Sequence, residues 1–321
     1  MRISVVTPQV FAVTREMPYG AEWACVLIAD ALAKKGHNVT MYAPKGSRCQ
    51  DAAVVETVEP SGEWGAGERR AFDMYKDCQH EVILDFTHHY YPCVLANKVK
   101  VVHTCFGIQT AIPNLDSRVR VVTLSKWHQK DTLTRFGWKS SVIGLPVEVH
   151  RGRGGDRTGY LYLGLMAERK GALGLVAAWQ REFGRLKVAG EDVFVPSKEY
   201  VERVRAACGG GGVEWLGKVS HAGKVGLLCG TNALILPFLA PEAYSMVLLE
   251  ANSYGTPVIT TPEGGIAEMV VEGENGTFLR GGLREALKRA ASISAGSCIE
   301  HARRHSPEAV AKRYLGLLVR W

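Results

Sequence analysis

The stretch "NALILPFLAPEAYSMVLLEANSYGTPVITT", residues 232–261, holds the pattern on which the fold turns. "NALILP" is a short apolar run that stops at Pro237, "SMVLLEANSY" resumes at helical spacing, and "PVITT" is a second β-branched run. Ser245 stands where a helix N-cap belongs, and Gly255 with Pro257 beyond it stands where a helix ends. Strand, loop, helix and strand in that order form a βαβ unit, whose strands run parallel. The same alternation extends outward. "YLYLG", "GALGLVAAWQ", "RLKVAG", "SKEYVERVRAAC", "VEWLG" and "HAGKVGLLCG" precede it as strand, helix, strand, helix, strand and helix. "GGGG" at 209–212 lies between a helix and a strand and so is a turn, because a dinucleotide-binding motif needs the strand before it and the helix after it.

A separate series occupies the first half. "RISVVT" leads through a loop to "AEWACVLIADALAKKGHNVTMYAP", in which Ala24, Leu27, Ile28, Ala31 and Leu32 share one helical face. Gly36 ends that helix, and "NVTMYA" reads as the next parallel strand. "EVILDF", "VKVVHT" and "VRVVTL" continue the strands. Between the halves, "PVEVHRGRGGDRTG" at 146–159 has no apolar period and is the linker candidate. The expected architecture is α/β, with two doubly wound, Rossmann-like parallel-sheet domains facing a central cleft. The expected boundaries are 1–148 and 149–306, with the terminal helix 307–321 crossing back onto the first domain.

Composition narrows the classes. A chain of 321 residues with 46% hydrophobic and 22% charged content suits two soluble domains. The opening "MRISVVTPQV" is shorter in apolar residues than a secretory leader, and no apolar run approaches a membrane span, so a cytoplasmic location is expected. The eight cysteines lack zinc or redox spacing and read as free thiols. Without a leader, the sequons at Asn38 and Asn275 read as chance matches. A net charge of +7 favours anionic ligands, but the basic residues are dispersed and no aromatics interleave with them, which argues against nucleic acid. The amphipathic tail "AVAKRYLGLLVRW" reads first as a docking helix, and with the basic charge it also admits peripheral contact with an anionic membrane.

Glu242 lies on the loop entering the helix of residues 245–254, and Glu250 lies more than a turn inside it. The free N–H groups near Ser245 to Leu248 make an anion site suited to a phosphate. An acid upstream can reach the group attached to that phosphate, and an acid within can accept hydrogen bonds from paired hydroxyls such as those of a ribose. Taken alone, the pair reads equally as a solvated loop acid and an ordinary helix glutamate.

The segment "EAYSMVLLEANSYGTPVI" resembles the Glu–seven residues–Glu element of the family-four glycosyltransferases (glycosyl transferases group 1), retaining enzymes of the GT-B fold. "GGIAEMVVEGENGTFL", "YLGLMAERKGALGLVAA", "LKVAG" and "VEWLGKVS" resemble further elements of that family. So do "MPYGAEWACVLIADALAKKGHNVTMYAP" near the start and "HSPEAVAKRYLGLLVRW" at the end. The resemblance implies transfer of a sugar from a UDP- or GDP-sugar to an acceptor hydroxyl on a sugar, lipid or small molecule. Anomeric configuration would be retained, with no metal and no cofactor. It implies that Glu242 contacts the transferring sugar, Glu250 holds the ribose, and the backbone of Ser245, Met246 and Val247 binds the diphosphate with Lys170 as cationic partner. Gly190, Gly217 and Lys218 would line the nucleotide pocket, and Gly20 would approach the phosphates.

Three positions depart from the family pattern. Leu165 stands where an arginine is usual, leaving Arg169 to substitute. Gly20-Ala21 replaces Gly-Gly. Phe106 replaces a histidine, so that His103, with His88 and His89 as further candidates, is the expected first-domain group. An epimerase or phosphorylase on the same fold, or a non-catalytic sugar-nucleotide-binding subunit, are the other readings.

Overall fold

Four- to six-residue apolar runs cannot stand alone in water, and here they are stacked into two parallel sheets. A computed structural model describes residues 1–17, 19–63, 65–107, 115–150, 157–190 and 198–319. The chain divides into two units, Met1–Pro146 with His305–Trp321, and Val147–Arg304. The sequence-based boundaries at 148/149 and 306/307 lie two residues further along. Residues 151–156 of the expected linker lie outside the described residues.

The first unit contains β1 (Arg2–Val6), α1 (Gly20–Lys34), β2 (Asn38–Ala43), β3 (Ala53–Glu56), α2 (Glu68–Tyr75), β4 (Val82–Asp85), β5 (Lys100–Thr104), β6 (Arg120–Thr123), α3 (Lys126–Phe136) and β7 (Ser140–Val142). A 3₁₀ segment, Tyr91–Asn97, joins β4 to β5. The sheet order is β3-β2-β1-β4-β5-β6-β7, with every neighbouring pair parallel. All four residues of β4 are buried. Because alternate side chains point to opposite faces, both faces of this central strand are covered. The edge strands β3 and β7 have no buried residue, and they are the two that the apolar pattern did not announce.

Helix α1 was expected to bury one face. Instead every residue from Glu22 to Leu32 is buried. The terminal helix of this unit supplies the reason, because it packs along α1 and covers the side turned from the sheet. That helix, Pro307–Val319, buries Val310, Ala311, Tyr314 and Leu318. The Tyr314 hydroxyl lies 2.9 Å from Thr104 Oγ1 at the end of β5. The docking reading of the tail is therefore the one realised among the described residues.

The second unit follows with β8 (Tyr160–Leu163), α4 (Ala172–Ala178), β9 (Leu186–Ala189), α5 (Lys198–Ala207), β10 (Val213–Gly217), α6 (His221–Gly230), β11 (Ala233–Leu236), α7 (Met246–Ser253), β12 (Val258–Thr260), α8 (Ile266–Met269), β13 (Gly276–Phe278), α9 (Leu283–Ala291) and α10 (Ala295–Arg303); the terminal helix is α11. Its parallel sheet has the order β10-β9-β8-β11-β12-β13. The 209–212 glycines lie between α5 and β10, as a helix-to-strand turn should.

Helix α7 is fixed at its far end by polar bonds. Arg157 donates to the carbonyl oxygens of Tyr254 and Gly255, at 2.8 and 2.6 Å, and to Thr256 Oγ1 at 2.9 Å. Asn275 is fully buried, and its side-chain amide donates to Asn252 Oδ1 at 2.9 Å and to the Met269 carbonyl at 3.0 Å. Its own Oδ1 accepts from the Val271 N–H at 2.7 Å. A side chain so engaged offers no amide for a glycan, so the sequon at this position is a chance match. The cysteines are free thiols, four of them buried. No helix among the described residues is long and apolar enough to cross a membrane.

Candidate functional site

In an open parallel sheet, ligands bind outside the carboxyl ends of the strands where the strand order reverses direction. In the second unit that point lies between β8 and β11. After β8 the chain turns through Gly164 to Ala167 into a short 3₁₀ segment, Glu168–Lys170. After β11 it runs through Pro237 to Tyr244 into α7. These two loops are joined backbone to backbone, with the Leu239 N–H donating to the Arg169 carbonyl at 2.8 Å. Gly171 makes the approach feasible. Its φ is +74°, and a Cβ there would lie 2.1 Å from the Pro237 carbonyl oxygen.

Glu242 is fixed by its main chain, whose carbonyl accepts the Gly265 N–H at 2.7 Å. Its side chain is 13% exposed and receives two cations on one oxygen. Arg169 Nη1 pairs with Oε1, and Lys170 Nζ lies 3.1 Å from the same atom. Lys170 Nζ also sits 4.7 Å from the centroid of the Phe238 ring. Burial, and then the charge of Arg169, pull the Lys170 ammonium down to about 7. The Glu242 carboxylate opposes that shift by favouring the charged form. Arg169 and Lys170 are thus two adjacent cations on one carboxylate oxygen.

The amino end of α7 follows directly. Ser245 occupies the N-cap position with extended backbone, but its side chain makes no capping bond. By helix geometry the N–H groups of Met246, Val247 and Leu248 have no acceptor within the helix. Met246 and Val247 are half-buried. One turn on, Glu250 is 4% exposed, and its Oε2 lies 2.8 Å from Nζ of Lys224 on α6. Sequence reasoning missed Lys224, although it is the one lysine or arginine in "HAGKVGLLCG", a run otherwise small and apolar apart from its first histidine. Gly190 directly follows β9 with φ +155°, and a Cβ there would meet the Gly164 carbonyl oxygen at 1.8 Å. Its N–H donates to the Gly217 carbonyl at 2.9 Å, so Gly190 and Gly217 share the same carboxyl-end edge. Lys218 follows at the end of β10.

The remaining candidates belong to the first unit. Gly20 is the first residue of α1. His103, expected as a ligand-facing group, is 1% exposed at the end of β5. Its Nδ1 lies 2.7 Å from Asp85 Oδ2, and its ring centroid is 4.3 Å from that of Tyr90. Burial works against the imidazolium, but Asp85 overrides it and raises the pKa to about 10. His103 is thus the ion-pair partner of Asp85 within its own unit. Phe106 stacks on Phe86. His88 is driven down to about 4, chiefly by burial and then by His89. Buried Glu68 accepts the backbone N–H groups of His88 and His89, each at 2.8 Å, a pairing no sequence motif signalled.

Asp85, Cys93 and His103 are the residues among those described whose donor atoms gather closely enough for a metal, within 4.8 Å of one another. Donors 2.0–2.1 Å from a tetrahedral metal stand roughly 3.3 Å apart. The direct Asp85–His103 hydrogen bond is shorter, so this pair is closed on itself.

Two successive parallel-sheet α/β domains with this topology define the GT-B fold, and solved structures match over the full chain. AviGT4, a glycosyltransferase involved in avilamycin A biosynthesis, is 20% identical, with 99% of this chain and 97% of that one covered and a TM-score of 0.79. HepE from Anabaena, in complex with UDP and glucose, is 14% identical over 100% of both chains with a TM-score of 0.75. Sucrose-phosphate synthase from Thermosynechococcus elongatus is 19% identical, covering 99% and 98%, with a TM-score of 0.75. Residues 157–293, which contain Arg169, Lys170, Glu242 and Glu250, match the family model described as glycosyl transferases group 1. No curated protein matches the sequence.

Proposed function

We propose that this chain is a retaining glycosyltransferase that moves a sugar from a nucleotide diphosphate sugar to an acceptor hydroxyl, with no metal requirement. The observation that carries the reading is the convergence of Arg169 and Lys170 on Glu242 immediately before the amino end of α7. Breaking the bond between the anomeric carbon and the diphosphate leaves negative charge on the phosphate oxygens. Two side-chain cations and the free N–H groups of Met246 and Val247 lie where they can stabilise that charge as it develops. In this reading protein cations take the part a divalent ion plays elsewhere, and the sequence holds no acidic pair of the Asp-x-Asp kind. Glu242 orients the sugar hydroxyls, and Glu250 receives the ribose. Gly190, Gly217 and Lys218 line the nucleotide pocket. That a relative on the same fold binds UDP and glucose supports UDP as the first nucleotide to try.

Purified protein is to be incubated with UDP-, GDP- and ADP-sugars, with and without EDTA, while released nucleotide and melting temperature are followed. Nucleotide release that persists in EDTA is the expected result. No release and no thermal shift with any donor would overturn the proposal. Within it, Glu250→Ala is expected to weaken nucleotide binding by roughly 1.5–3 kcal/mol, about 10- to 150-fold, the scale of a hydrogen bond to a charged group. An unchanged affinity by calorimetry would remove Glu250 from the site.

A further inference from the structure

We propose that Lys224 is a positioning residue that makes this site selective for ribonucleotides, by holding Glu250 as an acceptor for the ribose hydroxyls. The inference rests on the donor-binding reading above. A carboxylate 4% exposed on a helix whose neighbours are Leu248, Leu249 and Ala251 has lost most of its hydration. A buried charge without a partner is costly, and a carboxylate offers acceptors only. A ribose diol offers two O–H donors and is best met by a group that only accepts. The Lys224 ammonium, 2.8 Å from Oε2 and with its side chain 9% exposed, is the buried charge partner of that carboxylate and holds it in place. The pairing is through Oε2, and in this proposal Oε1 receives a ribose hydroxyl.

The rest of α7 is built so that this carboxylate does not wander. Ser253 Oγ donates to the Glu250 carbonyl at 2.8 Å, and Asn252 and Arg157 anchor the last turn. Lys224 lies in the first turn of α6, whose start is capped by Ser220 Oγ accepting the Gly223 N–H at 3.1 Å. The lysine is thus delivered from a second, independently capped helix onto the one carboxylate. It has no part in the cation pair at Glu242, so its removal is not expected to disturb diphosphate binding.

A merely structural Lys224, tying α6 to α7, would on removal weaken every nucleotide equally. The proposed role predicts a loss confined to nucleotides that carry the diol. Affinities of UDP and 2′,3′-dideoxy-UDP, and of GDP and its dideoxy analogue, are therefore to be measured for the wild type, K224M and K224R. Wild type is expected to prefer the ribo form at least tenfold. In K224M the affinity for the ribo form should fall at least tenfold while that for the dideoxy form changes less than twofold, so that the preference collapses. K224R, which keeps the charge, should retain most of it. If K224M cannot be purified folded, K224Q serves in its place, since it removes the charge and keeps a polar side chain. A preference that survives in the neutral variant overturns the proposal, and so does a parallel loss for both forms. A wild type that binds no nucleotide fails the donor-binding reading itself. A wild type that binds without discriminating fails only the ribose assignment and this inference with it.

Discussion

Glu242→Gln is expected to lower turnover by about 10²–10³-fold, the scale seen when one preorganised polar contact to the reacting centre is lost, while nucleotide affinity is retained. The asymmetry follows from the charge arrangement. In the free protein Oε1 of Glu242 engages both Arg169 and Lys170. Glutamine keeps the shape and removes the counter-charge, so both cations remain, less restrained, to meet a diphosphate. The sugar loses its carboxylate acceptor, and with it the orientation that brings the anomeric carbon to the acceptor hydroxyl. Turnover under saturating donor, together with a calorimetric Kd for UDP, separates the two effects. An unchanged kcat would show that Glu242 does not touch the sugar. A kcat loss matched by an equal loss of UDP affinity would place it on the nucleotide instead. The same substitution should lower the melting temperature, because it leaves the buried Lys170 beside Arg169 with no acid between them.

What the sequence disclosed, and what it concealed, divides along a physical line. The central strands are buried on both faces and must be apolar throughout, so "EVILDF" and "NALILP" announce β4 and β11. Edge strands β3 and β7 are half wet and carry no such mark. The loop acid Glu242, the buried helix acid Glu250 and the turn lysine Lys170 were legible because each sits within a short segment whose order already implies its place. Pairings made across the chain were not. Lys224 meets Glu250 from a different helix, and Glu68 receives N–H groups from residues twenty positions away. His103 shows the same limit from the other side. Its position at the end of β5 was read correctly, but its exposure depended on Asp85 of the neighbouring strand and on Tyr90, neither of which a run of "VVHTCFG" can report.

Lys170→Met should cost turnover about as much as the loss of Glu242, roughly 10²–10³-fold, and should remove two pH dependences of known sign. Burial and Arg169 bring the Lys170 pKa to about 7 in the folded protein, whereas in the unfolded chain it returns to about 10.4. Between these values the unfolded state holds a proton that the native state lacks. Stability therefore rises with pH from about 7 to about 10.4 and is flat in this group's contribution below 7, where both states are protonated. Function runs the opposite way. The ammonium is the form that neutralises a leaving diphosphate, so kcat/KM should decline as pH rises through about 7. A bound diphosphate favours the charged lysine, so nucleotide binding at pH 8 should take up a proton, visible as a dependence of the calorimetric heat on buffer ionisation enthalpy. Methionine fills much the same volume beside Phe238 and cannot titrate. The variant should therefore show a flatter stability profile, no proton uptake from this position and a weakened Kd for UDP. Proton uptake at pH 8 that is unaltered in the variant would mean that another group is responsible and that Lys170 does not face the diphosphate.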